Sequence, residues 1–518
     1  MTPESSETFF KGKLNHLDKW LRVRTDKTFP ACLFLLLCYL PMSAALIRRH
    51  LWLDELATYY ISGAPSFHRM FEALGSGIDY NPPLIYLITR AWQFVVGPDE
   101  TLSRIPVAAA FFLASIGVFL FLKPRINSMW ATCAVLMFWS TPSFYFATEL
   151  RPYALVLMFF SFVLLGWDHS HEKNRRAALV CIFVGSLGLM LSHVLAVFAL
   201  GAICLAELAG QIEQRHLDVP LWLCLLLPVT AIFSYIPFIH RFEGGVYPAA
   251  FQAGIHRFGA YLFNQGTGLW IPFVSAAIAA LAVGFLQGRR LQYPVRVPRT
   301  REIWLTIGLL SLPLLLNGIM MLEHLPFFDR YALEASLTVC VLVIAALAYL
   351  SGFNYLAGLA ALALLTIFGF ERNLVIPIEN QRRADLQPRL SQVQPANLPF
   401  VVSNGVIFLE LDHYERPDFL ARVVFLTDRN AAKRIAHSTL FDTIISLEKT
   451  YFPVRSQVEP YHDFVARHRR FLLLANPGWP EEWMLRKLAE DGAVLTRTSG
   501  WNDRYPIGGY VYDVRMPN

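Results

Sequence analysis

Apolar runs of about 17–20 residues, enough for a helix to cross ~30 Å of hydrocarbon, recur through the first 370 residues of this chain. They fall at 31–47, 105–122, 129–147, 153–167, 177–192, 194–209, 220–237, 269–287, 303–322, 332–350 and 354–370, and so predict eleven membrane-spanning helices. Composition agrees, because only 16% of the residues are charged, against about a quarter in a soluble globular chain. From about residue 376 dense charge and short mixed segments take over. The expected organisation is a membrane domain over 1–375, with a first outer loop at about 48–104, and a water-soluble domain over 376–518.

The net charge of +6 is modest, and suits the orienting of a membrane protein better than the binding of nucleic acid. All seven cysteines lie in apolar runs, without CxxC or Cys/His spacing, so neither a disulfide framework nor a thiolate metal centre is expected. About 29 polar residues precede the first run. That is too long for an ordinary signal-peptide leader, so the run reads as an uncleaved anchor.

Lysines and arginines assign the sides. Lys11, Lys13, Lys19, Arg22, Arg24 and Lys27 precede the first run. Lys123 and Arg125, then Lys173, Arg175 and Arg176, then Arg215, then Arg289, Arg290, Arg296, Arg299 and Arg301 occupy alternate loops after it. The positive-inside rule then puts the N-terminus in the cytoplasm. Eleven crossings put the C-terminal domain on the periplasmic or extracytoplasmic side of the plasma (inner) membrane. The loops assigned outside hold Asp54 and Glu55, Asp79 to Pro83, Glu149 to Tyr153, Ser192 and His193, a long segment at 238–268, and 323–331. Function is expected on that face.

Each cluster also has a bland reading. Asp54 and Glu55 could cap a helix, since acids favour helix N-termini. Yet Asp54 sits in LWLDEL, an apolar, membrane-level setting that suits a general base kept ionised by a nearby cation. Glu55 is then its helper. In FATELRPYAL, Glu149 and Arg151 could neutralise each other, with Tyr153 beside them. However, Pro152 interrupts the helix, and irregular backbone at membrane depth is tolerated beside a cavity. The fork of Arg151 suits a lipid phosphate. Asp329, Arg330 and Tyr331 repeat the acid–Arg–Tyr theme, although Tyr and Arg also anchor membrane interfaces. His193, alone in LMLSHVLAV, reads first as a satisfied core histidine. Asp79, Asn81 and His256 are further candidates, His256 in the long loop with His240, Arg241, Gly244, Gly245, Tyr247, Arg257 and Tyr261. Such loops are often functional.

These segments resemble the polytopic sugar transferases that use a polyprenyl-phosphate donor, the protein-mannosyltransferase-like and aminoarabinose-transferase-like superfamily with the GT-C fold. The resemblance rests on WLDELATYY, on NPPLIYLITRAW followed by SRIPVAAAFFL, and on ELRPYAL, SHVLAVF and DRYAL. It covers roughly residues 30–350. It implies a GT-C-like helical membrane protein, with Asp54 as catalytic base and Glu149 in the family's second-acid role. Arg151 and Arg330, with Tyr153 and Tyr331, would serve the donor phosphate. The implied partners are a polyprenyl-phosphate-sugar donor, an acceptor lipid, glycan or protein, and membrane lipids, with no nucleic acid. Some members need a divalent metal and others do not, so a metal stays open.

The C-terminal segment carries strand-like runs at 400–403, 423–427, 471–475, 494–498 and 510–514, and a helix signal at 480–490. Alternation of this kind predicts a small α/β domain. It has no phosphate-loop or dinucleotide signature, and suits acceptor recognition or a structural cover. Two other classes fit the same clusters: a transporter or flippase of a lipid-linked saccharide, and a non-catalytic assembly protein. Transporters often show internal repeats with midplane polar residues, and no convincing repeat is visible in this chain.

Overall fold

The computed structural model describes residues 3–170, 174–235, 252–286, 298–379, 395–501 and 509–517, with residues 390 and 393 besides. The helices of the membrane domain are α1 (Pro3–Thr25), α2 (Thr28–Leu46), α3 (Leu53–Ser62), α4 (Phe67–Gly75), α5 (Leu84–Val96), α6 (Ile105–Trp139) and α7 (Tyr153–His169). They continue with α8 (Arg175–Ser192), α9 (Ala196–Gln214), α10 (Val219–Leu226), α11 (Ile255–Leu286), α12 (Thr300–Leu322), α13 (Leu333–Leu350) and α14 (Tyr355–Phe370). Among the described residues eight are long and apolar enough to cross a membrane: α2, α6, α8, α9, α11, α12, α13 and α14. Shorter apolar helices are α5, α7 and α10 with its 3-10 continuation to Ser234. The chain is a polytopic helical membrane protein with a C-terminal α/β domain.

As far as their residues are described, the expected spans lie on helical segments, with three differences. Runs 105–122 and 129–147 share one element, α6, which turns at Asn127 with φ 66° rather than through a loop. Asn tolerates positive φ better than most residues, and its Oδ1 accepts from the Trp130 amide at 3.2 Å, which caps the second half. That second half ends at Trp139, and Pro142–Ala147 tightens into a 3-10 turn. The third difference is that the supposed loop at 238–268 is helical from Ile255. His240, Arg241, Gly244, Gly245 and Tyr247 lie outside the described residues, as do Lys173, Arg289, Arg290 and Arg296.

Close backbone approach ties α7 to α8. A Cβ at Gly188 would meet the Phe159 ring at 2.3 Å, and one at Gly166 the Ala178 carbonyl at 2.8 Å. Small residues at such crossings are how membrane helices pack without a hydrophobic driving force between them.

The C-terminal domain is a six-stranded sheet of order β3-β2-β1-β4-β6-β5. Its strands are β1 (Phe400–Val402), β2 (Val423–Thr427), β3 (Gln457–Pro460), β4 (Arg470–Ala475), β5 (Val494–Trp501) and β6 (Gly509–Arg515). The first four run parallel, and β6 pairs antiparallel with β4 and β5. The expected helix at 480–490 begins at Met484. Helix α15 (Gly405–Tyr414) packs against the segment between α2 and α6. There the Tyr414 hydroxyl accepts from the Leu51 amide at 2.5 Å and donates to Glu100 at 2.6 Å. His413 bridges Glu100 at 2.8 Å and the Tyr60 hydroxyl at 2.6 Å.

Candidate active site

Glu55 organises the site from behind. It stands at the third position of α3, where its carboxylate accepts from the Trp52 amide at 3.4 Å and so closes the helix start. It also takes the Arg104 fork at 2.9 and 2.8 Å, the Leu150 amide at 2.7 Å and Arg49 at 3.4 Å. Both Glu55 and Arg104 are buried. Burial alone would push this carboxyl up, but Arg49, Arg104 and the Leu150 amide hold it below the usual range. One buried carboxylate thus joins the residues before α3, the residue before α6 and the ELRPY turn. Glu55 has no valence left toward a ligand.

Asp54 lies on the other side of the same turn, half-buried, with Oδ2 3.0 Å from Arg330 Nη2. Its backbone is fixed as well, since Arg151 donates to the Asp54 carbonyl at 3.0 Å and to Thr58 Oγ1 at 3.1 Å. The rest of the Arg151 fork is held by Asp79, with Nη2 3.1 Å from Oδ1 and Nη1 against Oδ2. Asp79 also accepts from the Tyr80 amide and from Asn81 Nδ2, each at 2.8 Å. Burial pushes Asp79 up, and Arg151, with the Tyr86 hydroxyl and the Tyr80 amide, holds the carboxyl below the ordinary range. Arg151, Asp79 and Asn81 therefore form a bonded unit beneath Asp54; both terminal nitrogens of Arg151 are engaged, and its Nε has no hydrogen-bond partner among the described residues.

Arg330 is the cation at the front. Its guanidinium packs 4.5 Å from the Phe328 ring centre, 5.4 Å from Trp52, 5.6 Å from Tyr153 and 5.9 Å from Tyr331. Its Nε has no hydrogen-bond partner among the described residues. Glu149 is buried beside it, accepting from Trp52 Nε1 at 2.9 Å through Oε1, while Oε2 has no partner among those residues. Burial pushes the Glu149 carboxyl up to about 7, with Arg330 and Arg49 pulling against that and Glu55 and Asp54 adding to it.

His193 closes α8. Its Nδ1 accepts from the Leu195 amide at 3.2 Å, so the neutral ring carries its proton on Nε2. Burial first, then Arg151 and Arg330, lower its pKa to about 3, and the ring is neutral at pH 7. It lies 5.8 Å from the Tyr153 ring and 5.7 Å from that of Tyr331. Tyr153, His193, Arg330 and Tyr331 line one small cavity of about 20 Å³, room for about a water molecule. Its other walls are apolar residues of α7, α9, α12 and the start of α13, and Glu334 on α13.

The structure thus brings together Asp54, Glu149, Tyr153, His193, Arg330 and Tyr331. Glu55 and the Asp79–Asn81–Arg151 unit lie behind them, and His256 is exposed on the first turn of α11. Trp52, Arg104 and Glu334 escaped the sequence reading. Arg104 had a signal, as an arginine entering a span from the side where the positive-inside rule disfavours it. Glu334 had another, as an acid within an apolar run. Among the described residues no three His, Cys, Asp or Glu are grouped as metal ligands, and the counter-ion of Asp54 is Arg330.

No family model and no curated protein matches the chain. Among solved structures it is similar to ArnT from Cupriavidus metallidurans bound to undecaprenyl phosphate, at 12% identity and a TM-score of 0.49. It is also similar to that protein in the apo state, at 13% identity and a TM-score of 0.48. Both similarities cover 93% of this chain and 97% of the other.

Proposed function

We propose that this chain is a membrane glycosyltransferase that moves a sugar from a polyprenyl-phosphate carrier to an acceptor hydroxyl or amine. The reaction would take place at the outer face expected from the charge of the loops. The observation that carries this reading is the ion pair of Asp54 and Arg330 at an otherwise largely apolar cavity among membrane helices. A guanidinium with an unsatisfied Nε offers donors to a lipid phosphate, and a half-exposed carboxylate next to it can take a proton.

On binding, the donor phosphodiester displaces Asp54 from Arg330, which frees the carboxylate for the acceptor. The acceptor oxygen or nitrogen attacks the anomeric carbon, the bond from that carbon to the phosphate oxygen breaks, and the acceptor's proton passes to Asp54. Polyprenyl phosphate leaves as an anion held by Arg330, the kind of charge stabilisation that usually contributes most. No acid is needed on that side. A single displacement inverts the anomeric centre. Glu55 and Arg151 act through backbone and helix position, and Glu149 through Trp52. An acceptor of lipid, glycan or protein origin leaves these steps unchanged.

The test is Asp54→Asn in the full-length protein, assayed for transfer from polyprenyl-phosphate sugars to cell-envelope acceptors. Loss of the base should lower turnover roughly 10²–10⁴-fold while the protein still inserts and folds. Near-normal turnover would remove Asp54 from the chemistry, and a protein that moves the lipid-linked sugar across vesicles without transferring it would be a transporter.

A further inference from the structure

Helix α1 takes no part in the chemistry above, yet its second half divides into two stripes. Leu14, Asp18, Leu21 and Thr25 recur at the spacing of one helix face. Asp18 and Leu21 are buried against the bundle, and Leu14 and Thr25 are half-buried. Lys13, Leu17, Trp20 and Arg24 repeat that spacing one residue earlier, and all four are exposed. This second stripe is an apolar pair with a cation at each end. The opposite flank, with Asn15, Lys19 and Arg22, is polar throughout.

Two carboxylates fix how α1 lies. Asp18 accepts from the Leu356 amide at 2.9 Å at the start of α14, and Asp26 from the Ser128 amide at 3.2 Å where the second half of α6 begins. Those two helix starts are neighbours, since a Cβ at Gly358 of α14 would meet Met129 of α6 at 2.5 Å. Eight residues of helix rise ~12 Å, close to the roughly 8–10 Å between packed helix axes. Helix α1 therefore runs across the end of the bundle and not along a span. From there the second half of α6 leads toward Glu149, so this is the end away from the candidate site. Only Lys27, in extended backbone, separates α1 from α2, which is long and apolar enough to cross a membrane. That connection sets α1 at the level of the bilayer surface.

An exposed stripe at that level fits a layer of lipid headgroups. Leu and Trp suit the boundary of headgroup and acyl chain, and the tips of Lys and Arg reach out to phosphates. The Arg24 guanidinium stacks 4.4 Å from the Trp20 ring centre and makes no ion pair among the described residues. We infer that α1 is an interfacial helix that binds anionic phospholipid, with Leu17 and Trp20 against the acyl boundary and Lys13 and Arg24 on lipid phosphates. This does not depend on the glycosyltransferase reading.

The test uses the full-length protein with photoreactive benzoylphenylalanine in place of Trp20, in nanodiscs of phosphatidylglycerol and phosphatidylcholine in equal parts. After irradiation, mass spectrometry identifies what is attached. Lipid should be found at residue 20, with phosphatidylglycerol preferred, and far less when the probe instead replaces Asn15 on the opposite flank. Arg24→Gln should cut the preference about fivefold, the worth of one charge near an anionic surface, and Lys13→Gln by a similar factor. Raised salt should cut it without any charge variant, because exposed charges are screened. Equal attachment of lipid at 15 and 20, attachment at 20 to protein, or no adduct at 20 overturns the inference. So does a preference that neither the substitutions nor salt alters. Melting and gel filtration establish folding, and should a charge variant fail them, the salt series decides.

Discussion

Glu149 is a carboxyl of the candidate site whose charge state changes within the working range of pH. Its pKa rises from 4.5 in the free side chain to about 7 in the folded protein, chiefly through burial, so the folded state holds the proton more tightly than the unfolded one. The stability it contributes is fully present below about pH 4.5 and is lost as pH climbs through about 7. The melting temperature of the wild type should therefore fall across that window relative to Glu149→Gln, which cannot ionise. Parallel melting curves would show that the proton is not held there. Under the proposed function the same ionisation adds a negative charge beside Arg330 and opposes an anionic phosphate, so KM for the lipid donor should rise above pH 7 in the wild type only. Arg104 makes a different case. It gives Glu55 its closest ion pair and also holds the Ile47, Arg49 and His50 carbonyls at 3.0, 2.6 and 3.1 Å. Arg104→Leu leaves a buried carboxylate with Arg49 at 3.4 Å and should cost about 3–5 kcal/mol, read as a lower midpoint in detergent unfolding. Adding Glu55→Gln should recover part of it. A single-variant cost below about 1 kcal/mol would mean that the pair does not hold these segments together.

At the scale of elements, α15 of the C-terminal domain holds the residues ahead of Asp54. The Tyr414 hydroxyl takes the Leu51 amide, and its ring stacks on His50 at 4.0 Å. Tyr414→Phe keeps the ring and leaves that amide without its acceptor, a local cost of about 1–3 kcal/mol. Hydrogen exchange measured by mass spectrometry should quicken over 50–56 and stay unchanged in β1 and β4; equal rates in both proteins would separate α15 from the loop. The sequence could not show this contact, because a tyrosine and an amide far apart in the chain carry no local mark of each other. The spans were legible because their length is set by the bilayer, and β2, β4 and β6 because aliphatic and aromatic runs fit a pleated surface. Strand β3, reading Gln-Val-Glu-Pro, was not legible, since Glu and Pro are depleted in strands. It exists as an edge, where a proline is tolerated. In the site, acids and arginines at the ends of apolar runs were visible, but their partners were not. Nothing local tells that Arg151 goes to Asp79 and Arg330 to Asp54.

Over the whole molecule, charge is divided between the two ends of the helices. At the site end, Arg104 is neutralised by Glu55, Arg151 by Asp79 and Arg330 by Asp54, so these arginines add little net charge to that side. At the other end Arg125 joins Asp168 at 2.6 Å to Glu302 at 3.0 Å, and Arg175 meets Asp218 at 2.6 Å. Lys27, Arg176, Arg299 and Arg301 add further positive charge there. Orientation follows Lys and Arg in short loops near span ends more than net charge, but a guanidinium already locked to a carboxylate is a weaker anchor for the cytoplasmic side than one facing lipid phosphates. The basic end should therefore face the cytoplasm, and the site and the C-terminal sheet should face outward. Alkaline phosphatase fused after the last residue should be active in intact bacteria and a green fluorescent protein there dark, with the reverse for fusions in the loop after Gln214. A bright fluorescent fusion at the C-terminus would place Asp54 and Arg330 on the cytoplasmic side, where an acceptor of the cell envelope is out of reach, and the proposed reaction would have to be given up.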